Sequence, residues 1–158
     1  MFKYILQFLI GGVVLLFSTL AAWYEGSAII EKSLEWNYST PFTHFLGIEI
    51  TTGKEIVVID YFVYALKFQP FFPMLMLLSL FYIIGITLVL VGKKNIHFGM
   101  KLAFLCGIVF LCTSTLFYKS TTDGGRIFFY LLLTSSILTT LISGFLYTQQ
   151  RYKEQIVE

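Results

Sequence analysis

Charged residues are scarce in this sequence, and their scarcity excludes most soluble proteins. Asp, Glu, Lys and Arg make up 13% of the 158 residues, whereas hydrophobic residues make up 57%. An ordinary soluble domain has about 25% charged and about 45–50% apolar residues. A soluble fold of this length would leave too much apolar surface in water, and the mean hydropathy of +0.80 agrees. The net charge of +2 is too small to indicate a nucleic-acid partner.

Histidine, cysteine and paired reactive groups are also scarce, and each shortage excludes a class of chemistry. His44 and His97 flank an apolar segment long enough to cross a membrane, so they are expected on opposite sides of it and cannot form a pair of haem ligands. Cys106 and Cys112 do not form a C-x-x-C redox motif, and their spacing on one helix is too wide for a disulfide. The sequence therefore predicts no catalytic residue, no cofactor and no metal site.

Four long segments without a charged residue are each long enough for a transmembrane helix. About 20 apolar residues are needed to cross roughly 30 Å of hydrocarbon. The segments run from Tyr4 to Tyr24, Phe68 to Gly92, Leu102 to Tyr118 and Ile127 to Gln150. They contain no histidine either, so a proton-coupled transporter or ion pump built from this chain alone is not expected.

These segments predict an all-α membrane protein, a four-transmembrane-helix bundle formed by one membrane domain over residues 1–158. The predicted spans cover residues 4–24, 70–92, 99–118 and 127–148. A cleaved signal peptide is the alternative for the first span, because Lys3 precedes it and Thr19-Leu20-Ala21 resembles a cleavage site. The run is longer than the roughly 7–15 apolar residues of a signal peptide, which favours a retained span.

The distribution of basic residues predicts a multi-pass protein of the cell membrane with both termini in the cytoplasm. Short cytoplasmic segments of membrane proteins are enriched in Lys and Arg. The predicted inner segments are short and hold Lys3, Lys93, Lys94, Lys101, Arg151 and Lys153. Most acidic residues fall on the predicted outer side, namely Glu25, Glu31, Glu35, Glu49, Glu55, Asp60 and Asp123.

The extracytoplasmic loop over residues 25–69 is the only loop long enough to fold. Leu46 to Ile50 and Glu55 to Asp60 are rich in β-branched residues, and Thr51-Thr52-Gly53-Lys54 has the length and the glycine of a hairpin turn. The sequence therefore predicts a small β-hairpin in this first outer loop. The second outer loop contains Asp123-Gly124-Gly125, which is predicted to be a flexible turn.

Two interpretations of the aromatic residues in and beside the first outer loop stay open. They form an aromatic belt at the membrane interface, or they form a surface that binds a partner. The residues concerned are Trp23, Tyr24, Trp36, Tyr61, Phe62 and Tyr64. If the loop binds a partner, the candidate docking residues are Trp36, Glu49, Lys54, Tyr61 and Tyr64.

Ser136, Thr140 and Gly144 recur every four residues in the fourth span. Small residues at this spacing lie on one face of a helix and allow a neighbouring helix to approach closely. We therefore predict a helix-packing stripe, and a polar path for a substrate is the alternative.

Two functions are compatible with these features. The first is a non-enzymatic integral membrane protein, an interaction or accessory subunit that presents its outer loop to a protein partner or to a second copy of itself in the lipid bilayer. The alternative is an oligomeric carrier or channel for an apolar or lipid-like substrate.

The predicted layout resembles that of the claudin-type tetraspan proteins. It has a short N-terminus, a long β-containing first outer loop with Trp36, short later loops and a cytoplasmic tail. Trp36 is followed by Asn37, and the Gly-Leu-Trp motif and loop cysteines of claudins are missing, so no claudin residue role is carried over. The chain also looks like a small uncharacterised family of four-span membrane proteins from Bacillus-type bacteria.

Overall fold

The computed structural model describes residues 2–157, with side chains as far as Tyr152, and its regular structure is helical. The side chain of Lys153 and both end residues of the predicted 1–158 domain lie outside this part. Seven α-helices and three short 3₁₀ helices follow one another: α1 Phe2–Gly26, 3₁₀ Ser27–Glu31, 3₁₀ Ser33–Glu35, α2 Trp36–Ser39, α3 Pro41–Phe45, 3₁₀ Gly53–Glu55, α4 Val58–Phe68, α5 Phe71–Lys94, α6 Ile96–Phe117 and α7 Asp123–Val157.

Four helical segments are long and apolar enough to cross a membrane. They are Phe2–Glu31, Phe71–Lys94, Ile96–Phe117 and Asp123–Tyr152. Four such helices are consistent with the predicted multi-pass membrane protein. Helix α7 has 35 residues, which corresponds to about 50 Å at 1.5 Å per residue. It is therefore longer than the roughly 30 Å of hydrocarbon that a span must cross.

The predicted β-hairpin is wrong, because residues 2–157 contain no β-strand. Thr52 and Glu55 instead form a capping box around the 3₁₀ helix Gly53–Glu55, and α4 begins at Val58. A Thr followed three residues later by Glu is a helix-start signal. The β-branched residues of the second predicted strand lie just before α4 or in its first turn, where burial of a helical face overrides their strand preference.

Contacts between Cα atoms divide the chain into two compact units. Unit 1 comprises residues 1–8, 81–121 and 126–158, and unit 2 comprises residues 9–80 and 122–125. Each unit is described separately below. The single membrane domain over residues 1–158 stays a prediction.

In unit 1, a single residue separates α5 from α6. Asn95 lies between them in an extended conformation, and its side-chain oxygen accepts a hydrogen bond from the Phe98 N–H at 3.1 Å. This is an N-cap, which satisfies one of the unpaired N–H groups at the start of α6. Gly99 packs against Gly92, since a Cβ built on Gly99 would lie 2.7 Å from the Gly92 Cα. The absence of a Cβ at Gly99 allows α6 to approach α5 closely at this reversal.

Two hydrogen bonds join α6 to α7 within unit 1. The Ser136 hydroxyl donates to the Gly107 carbonyl at 2.8 Å, and the Ser143 hydroxyl donates to the Met100 carbonyl at 3.0 Å. Both serines are buried. Because each hydroxyl reaches a main-chain carbonyl of the neighbouring helix, these contacts require close approach of the two backbones.

The three residues of the predicted stripe have different surroundings. Ser136 and Thr140 lie next to Gly107, where an added Cβ would stand 2.6 Å from the Thr140 Oγ1 and 3.4 Å from the Ser136 carbonyl oxygen. Gly144 has open space, since nothing lies within 4 Å of a Cβ built there. The close contact between α6 and α7 thus lies at Gly107, Ser136 and Thr140.

A pair of glycine substitutions tests this contact. Alanine favours a helix interior over glycine by up to about 1 kcal/mol. Gly144→Ala should therefore leave the thermal unfolding midpoint in mild detergent unchanged or raise it. Gly107→Ala should lower the midpoint, because its Cβ meets Thr140 and Thr139. Equal shifts in the same direction for both variants would contradict the contact.

Candidate functional site in the cap

Between α1 and α5, within unit 2, the chain folds into a small helical cap (residues 27–69) with its own core. Ile29, Ile56 and Tyr64 are buried together, and Trp36 and Tyr61 pack against them. The Trp36 indole N–H donates to the Ile29 carbonyl at 2.8 Å, so its polar edge is satisfied as buried indoles require. Burial raises the pKa of the Tyr64 phenol, and the negative charge of Glu35 acts in the same direction.

The carboxylate of Asp60 is fully buried at the centre of the cap. One oxygen accepts the Phe42 N–H at 3.0 Å, and the other accepts the Thr43 N–H at 2.7 Å and the Thr43 hydroxyl at 2.5 Å. These N–H groups belong to the first turn of α3, where the N-cap residue Thr40 makes no side-chain cap. Asp60 therefore caps α3 from α4, across 17 residues of sequence.

Thr43 extends this network to the start of α4. Its hydroxyl donates to Asp60 and accepts a hydrogen bond from the Val57 N–H at 3.0 Å. Val57 is the N-cap position of α4, and its own side chain caps nothing. A hydroxyl and a carboxylate thus satisfy three main-chain N–H groups that would otherwise be unpaired at two helix starts.

Lys67, at the end of α4, binds the end of α2. Its ammonium group donates to the Tyr38 carbonyl at 2.5 Å and to the Ser39 hydroxyl at 3.3 Å. A cation at a helix C-terminus satisfies the free carbonyls and interacts favourably with the helix dipole. Burial lowers the pKa of Lys67, and the negative charges of Glu35 and Asp60 partly oppose that change.

Glu55 organises the turn that had been predicted to close a hairpin. Its carboxylate accepts the N–H groups of Thr51 and Thr52, at 2.5 and 2.9 Å, and the Thr51 hydroxyl. These hydrogen bonds, those from the main chain first, lower the pKa of the exposed Glu55 carboxyl. Asp60, Lys67 and Glu55 therefore each bind main-chain and hydroxyl groups of the cap.

Three glycines of unit 2 lie close to main-chain carbonyls of the cap, and each contact is possible only because the glycine has no Cβ. A Cβ on Gly26, at the end of α1, would collide with the Tyr61 carbonyl, and one on Gly53 would collide with the Ile30 carbonyl. A Cβ on Gly124 would collide with the Leu66 carbonyl in the same way. Gly124 lies in the first turn of α7, which begins at Asp123, so the flexible turn predicted over Asp123-Gly124-Gly125 is a helix start.

The structure separates the five predicted docking residues into two groups. Trp36, Tyr61 and Tyr64 pack in or against the core of the cap. Glu49 and Lys54 are exposed. Only the two charged residues of the set are therefore freely available to a partner on the surface of the cap.

Other apolar side chains of the cap are exposed instead. Leu34 and Phe45 each keep 88% of their surface accessible and Tyr38 keeps 77%, while Phe42 and Leu46 are also exposed. These residues were not predicted as docking residues, because the loop was expected to form a β-hairpin and not short helices. The spacing of Tyr38, Phe42 and Phe45, by four and then three residues, is typical of one helical face and was the available signal.

Clusters that bind metals take at least three donor side chains. No group of three or more His, Cys, Asp and Glu side chains with that geometry occurs among the residues whose side chains the structure describes.

A protein-family model matches more than half of the chain. The family is described as "Domain of unknown function (DUF4306)", and it matches residues 5–92. These residues include all but the start of α1, the whole cap and all but the end of α5.

A curated relative comes from Bacillus subtilis (strain 168), where its printed name is "Uncharacterized protein YjdJ". This chain is 30% identical to it over 92 residues, which are 54% of this chain and 84% of the relative. The predicted resemblance to a small uncharacterised Bacillus-type family is thereby confirmed. The claudin-type layout is not supported, and the β-containing loop on which it depended is helical. No solved structure matches this chain.

The hydroxyl of Thr43 offers a direct test of the network in the cap. Thr43→Val keeps the shape of the side chain but leaves Asp60 and the Val57 N–H each short of a partner. A buried polar group without a partner costs about 1–3 kcal/mol, so amide hydrogen exchange over residues 41–60 should become faster in detergent. Thr43→Ser, which keeps the hydroxyl, is the control. If amide exchange in the valine variant were as slow as in the wild-type protein, the hydroxyl would not stabilise the cap.

Proposed function

The chain belongs to the family described as "Domain of unknown function (DUF4306)", and we propose that it is a non-enzymatic integral membrane protein that presents its cap to a protein partner. In this proposal it acts as an interaction or accessory subunit, or it associates with a second copy of itself. The observation that carries the proposal is the set of large apolar side chains exposed on the cap.

The main chain that carries these side chains is held in place by the internal structure of the cap. Tyr38 is the residue whose carbonyl accepts the Lys67 ammonium group, and Phe42 donates its N–H to Asp60. Phe45 ends α3, which Asp60 caps. Removing apolar surface from water is favourable by about 25 cal/mol per Å², and a main chain that is already fixed has little further entropy to lose on binding. A partner surface would therefore gain from covering Leu34, Tyr38 and Phe45.

The aromatic residues were interpreted either as a belt at the membrane interface or as a surface that binds a partner, and they do not all have the same surroundings. Trp23 and Tyr24, near the end of α1, are exposed and suit an aromatic belt at the membrane interface. Trp36, Tyr61 and Tyr64 support the core of the cap. Docking in this proposal therefore uses the exposed apolar residues together with Glu49 and Lys54.

The alternative is an oligomeric carrier or channel for an apolar or lipid-like substrate. It would use the face of α7 with Ser136 and Thr140 as a path. Ser136 is buried and donates to the Gly107 carbonyl, while the Thr140 hydroxyl donates to the Ser136 carbonyl. Because the Ser136 hydroxyl is bound to α6 and the Thr140 hydroxyl is bound to a carbonyl of its own helix, the accessory-subunit proposal is preferred.

We also propose that the protein lies in the cell membrane with both termini in the cytoplasm. This orientation places the cap outside and the Lys93-Lys94 pair inside. It is supported by the short basic segments and by the concentration of acidic residues in and near the cap.

Cysteine labelling on intact cells tests the orientation. In a background with Cys106→Ala and Cys112→Ala, single cysteines replace two exposed lysines, Lys54 in the cap and Lys94 at the end of the second apolar helix. A membrane-impermeant maleimide should label Lys54→Cys directly and Lys94→Cys only after the membrane is permeabilised. The opposite pattern would place the cap in the cytoplasm.

Photocrosslinking tests the docking proposal. A photoreactive amino acid at Phe45 should give a discrete protein adduct in native membranes, whereas the same probe at Lys94 should not give that adduct. Phe45→Ser should abolish recovery of the partner in mild detergent, and Lys54→Gln should weaken it less. Adducts with lipid alone would indicate that the cap rests on the membrane. The absence of every protein adduct, including a self-adduct, would refute the proposal.

A further inference from the structure

A groove of about 690 Å³ lies in unit 1 between the C-terminal part of α5 and α7. Its walls are largely apolar, with Leu88 and Val89 from α5 and Ile142 and Phe145 from α7. The groove has room because Gly85 has no side chain, and nothing lies within 4 Å of a Cβ built there. Its volume is within the range of about 300–1,000 Å³ that is typical of small-molecule sites.

One end of the groove is polar and positively charged. Lys93 and Lys94, in the last turn of α5, line it together with Gln149 of α7. The Lys93 ammonium group donates to the Tyr4 hydroxyl at 2.7 Å and lies 5.4 Å from the centre of that ring. Tyr4 therefore holds one of the two ammonium groups in place, and Lys3 precedes it in the sequence.

No carboxylate balances this positive charge among the residues that line the groove. The sequence has no acidic residue before Glu25, none between Asp60 and Asp123, and none between Asp123 and Glu154. The described side chains of unit 1 therefore carry cations and no anion. An anionic ligand would supply the missing counter-charge.

We propose that this groove binds one anionic phospholipid from the bilayer. The phosphate is bound by the ammonium groups of Lys93 and Lys94 and by the Gln149 amide, and an acyl chain lies against Leu88, Val89, Ile142 and Phe145. Basic pockets between transmembrane helices commonly bind anionic lipid head groups. The apolar walls favour a lipid over a free anion, since an acyl chain contacts them along the groove whereas inorganic phosphate contacts only the polar end.

This site differs from general attraction of a basic segment to a charged membrane. Such attraction needs only the lysines, whereas the proposed site needs both the lysines and the open apolar groove. Substitutions that remove the charge and substitutions that fill the groove therefore distinguish the two.

The test is native mass spectrometry of the purified full chain in detergent, titrated with phosphatidylglycerol or with zwitterionic phosphatidylcholine. The wild-type protein should retain one phosphatidylglycerol per chain in preference to phosphatidylcholine. A lysine near an anionic lipid contributes about 1 kcal/mol, so Lys93→Gln with Lys94→Gln should weaken phosphatidylglycerol binding about 30-fold. The matched control, Lys32→Gln with Lys119→Gln, removes the same charge from two exposed lysines outside the groove and should leave lipid binding unchanged.

Two variants that keep every charge fill the groove. Gly85→Leu and Val89→Phe should each weaken phosphatidylglycerol binding, and the second keeps the test decisive if the first does not fold. Unchanged binding in a folded groove-filling variant, or in the Lys93/Lys94 variant, would overturn the proposal. So would displacement of the lipid by inorganic phosphate to the same extent from wild-type and groove-filled proteins, since this would identify a simple anion site.

Discussion

The buried carboxylate of Asp60 is the constraint on which the cap depends. An ionised carboxylate removed from water is costly unless it is fully hydrogen-bonded. Asp60 receives two main-chain N–H groups and one hydroxyl from α3. Helix α3 has only five residues, too few to persist alone in water. The carboxylate and the short helix therefore stabilise each other. Together they fix the main-chain positions of Phe42 and Phe45, the exposed apolar residues of α3.

Close contact between backbones is the second recurrent feature of the structure. In unit 2, Gly26, Gly53 and Gly124 each face a main-chain carbonyl that a Cβ would strike. In unit 1, Gly99 faces Gly92, and Gly107 faces hydroxyls of α7. Apolar helices in a bilayer gain little from burying apolar surface against one another, so close packing and hydrogen bonds between helices hold them together. Ser136 and Ser143 provide such bonds in unit 1.

The few charged residues of the chain act in two different ways. In the cap, Asp60, Glu55 and Lys67 bind main-chain groups at helix ends, and their charge serves the local fold. At the end of α5, Lys93 is held by Tyr4 and lies beside Lys94 at an apolar groove. The two proposals follow from this difference. The proposed protein contact uses apolar residues on the helices of the cap, whose ends the charged residues bind. The proposed lipid site uses the charged groups themselves.

The sequence by itself determined the four apolar helices, because a long segment without charge has no stable place except the membrane or a large core. It also indicated the resemblance to a Bacillus-type family. It did not predict the cap. The β-branched residues around Val58 favour a strand locally, but the capping box of Thr52 and Glu55 and the burial of Asp60 and Tyr64 on one face of α4 favour a helix.

Only the tertiary structure decided which aromatic residues are available to a partner. Trp36, Tyr61 and Tyr64 have the composition of a docking surface, yet they pack in or against the core of the cap, whereas Leu34 and Phe45 remain outside. Composition identifies residues that favour burial, but it does not specify what buries them. That depends on contacts between residues far apart in sequence, such as Asp60 with Thr43 and Lys67 with Tyr38, which no local pattern encodes.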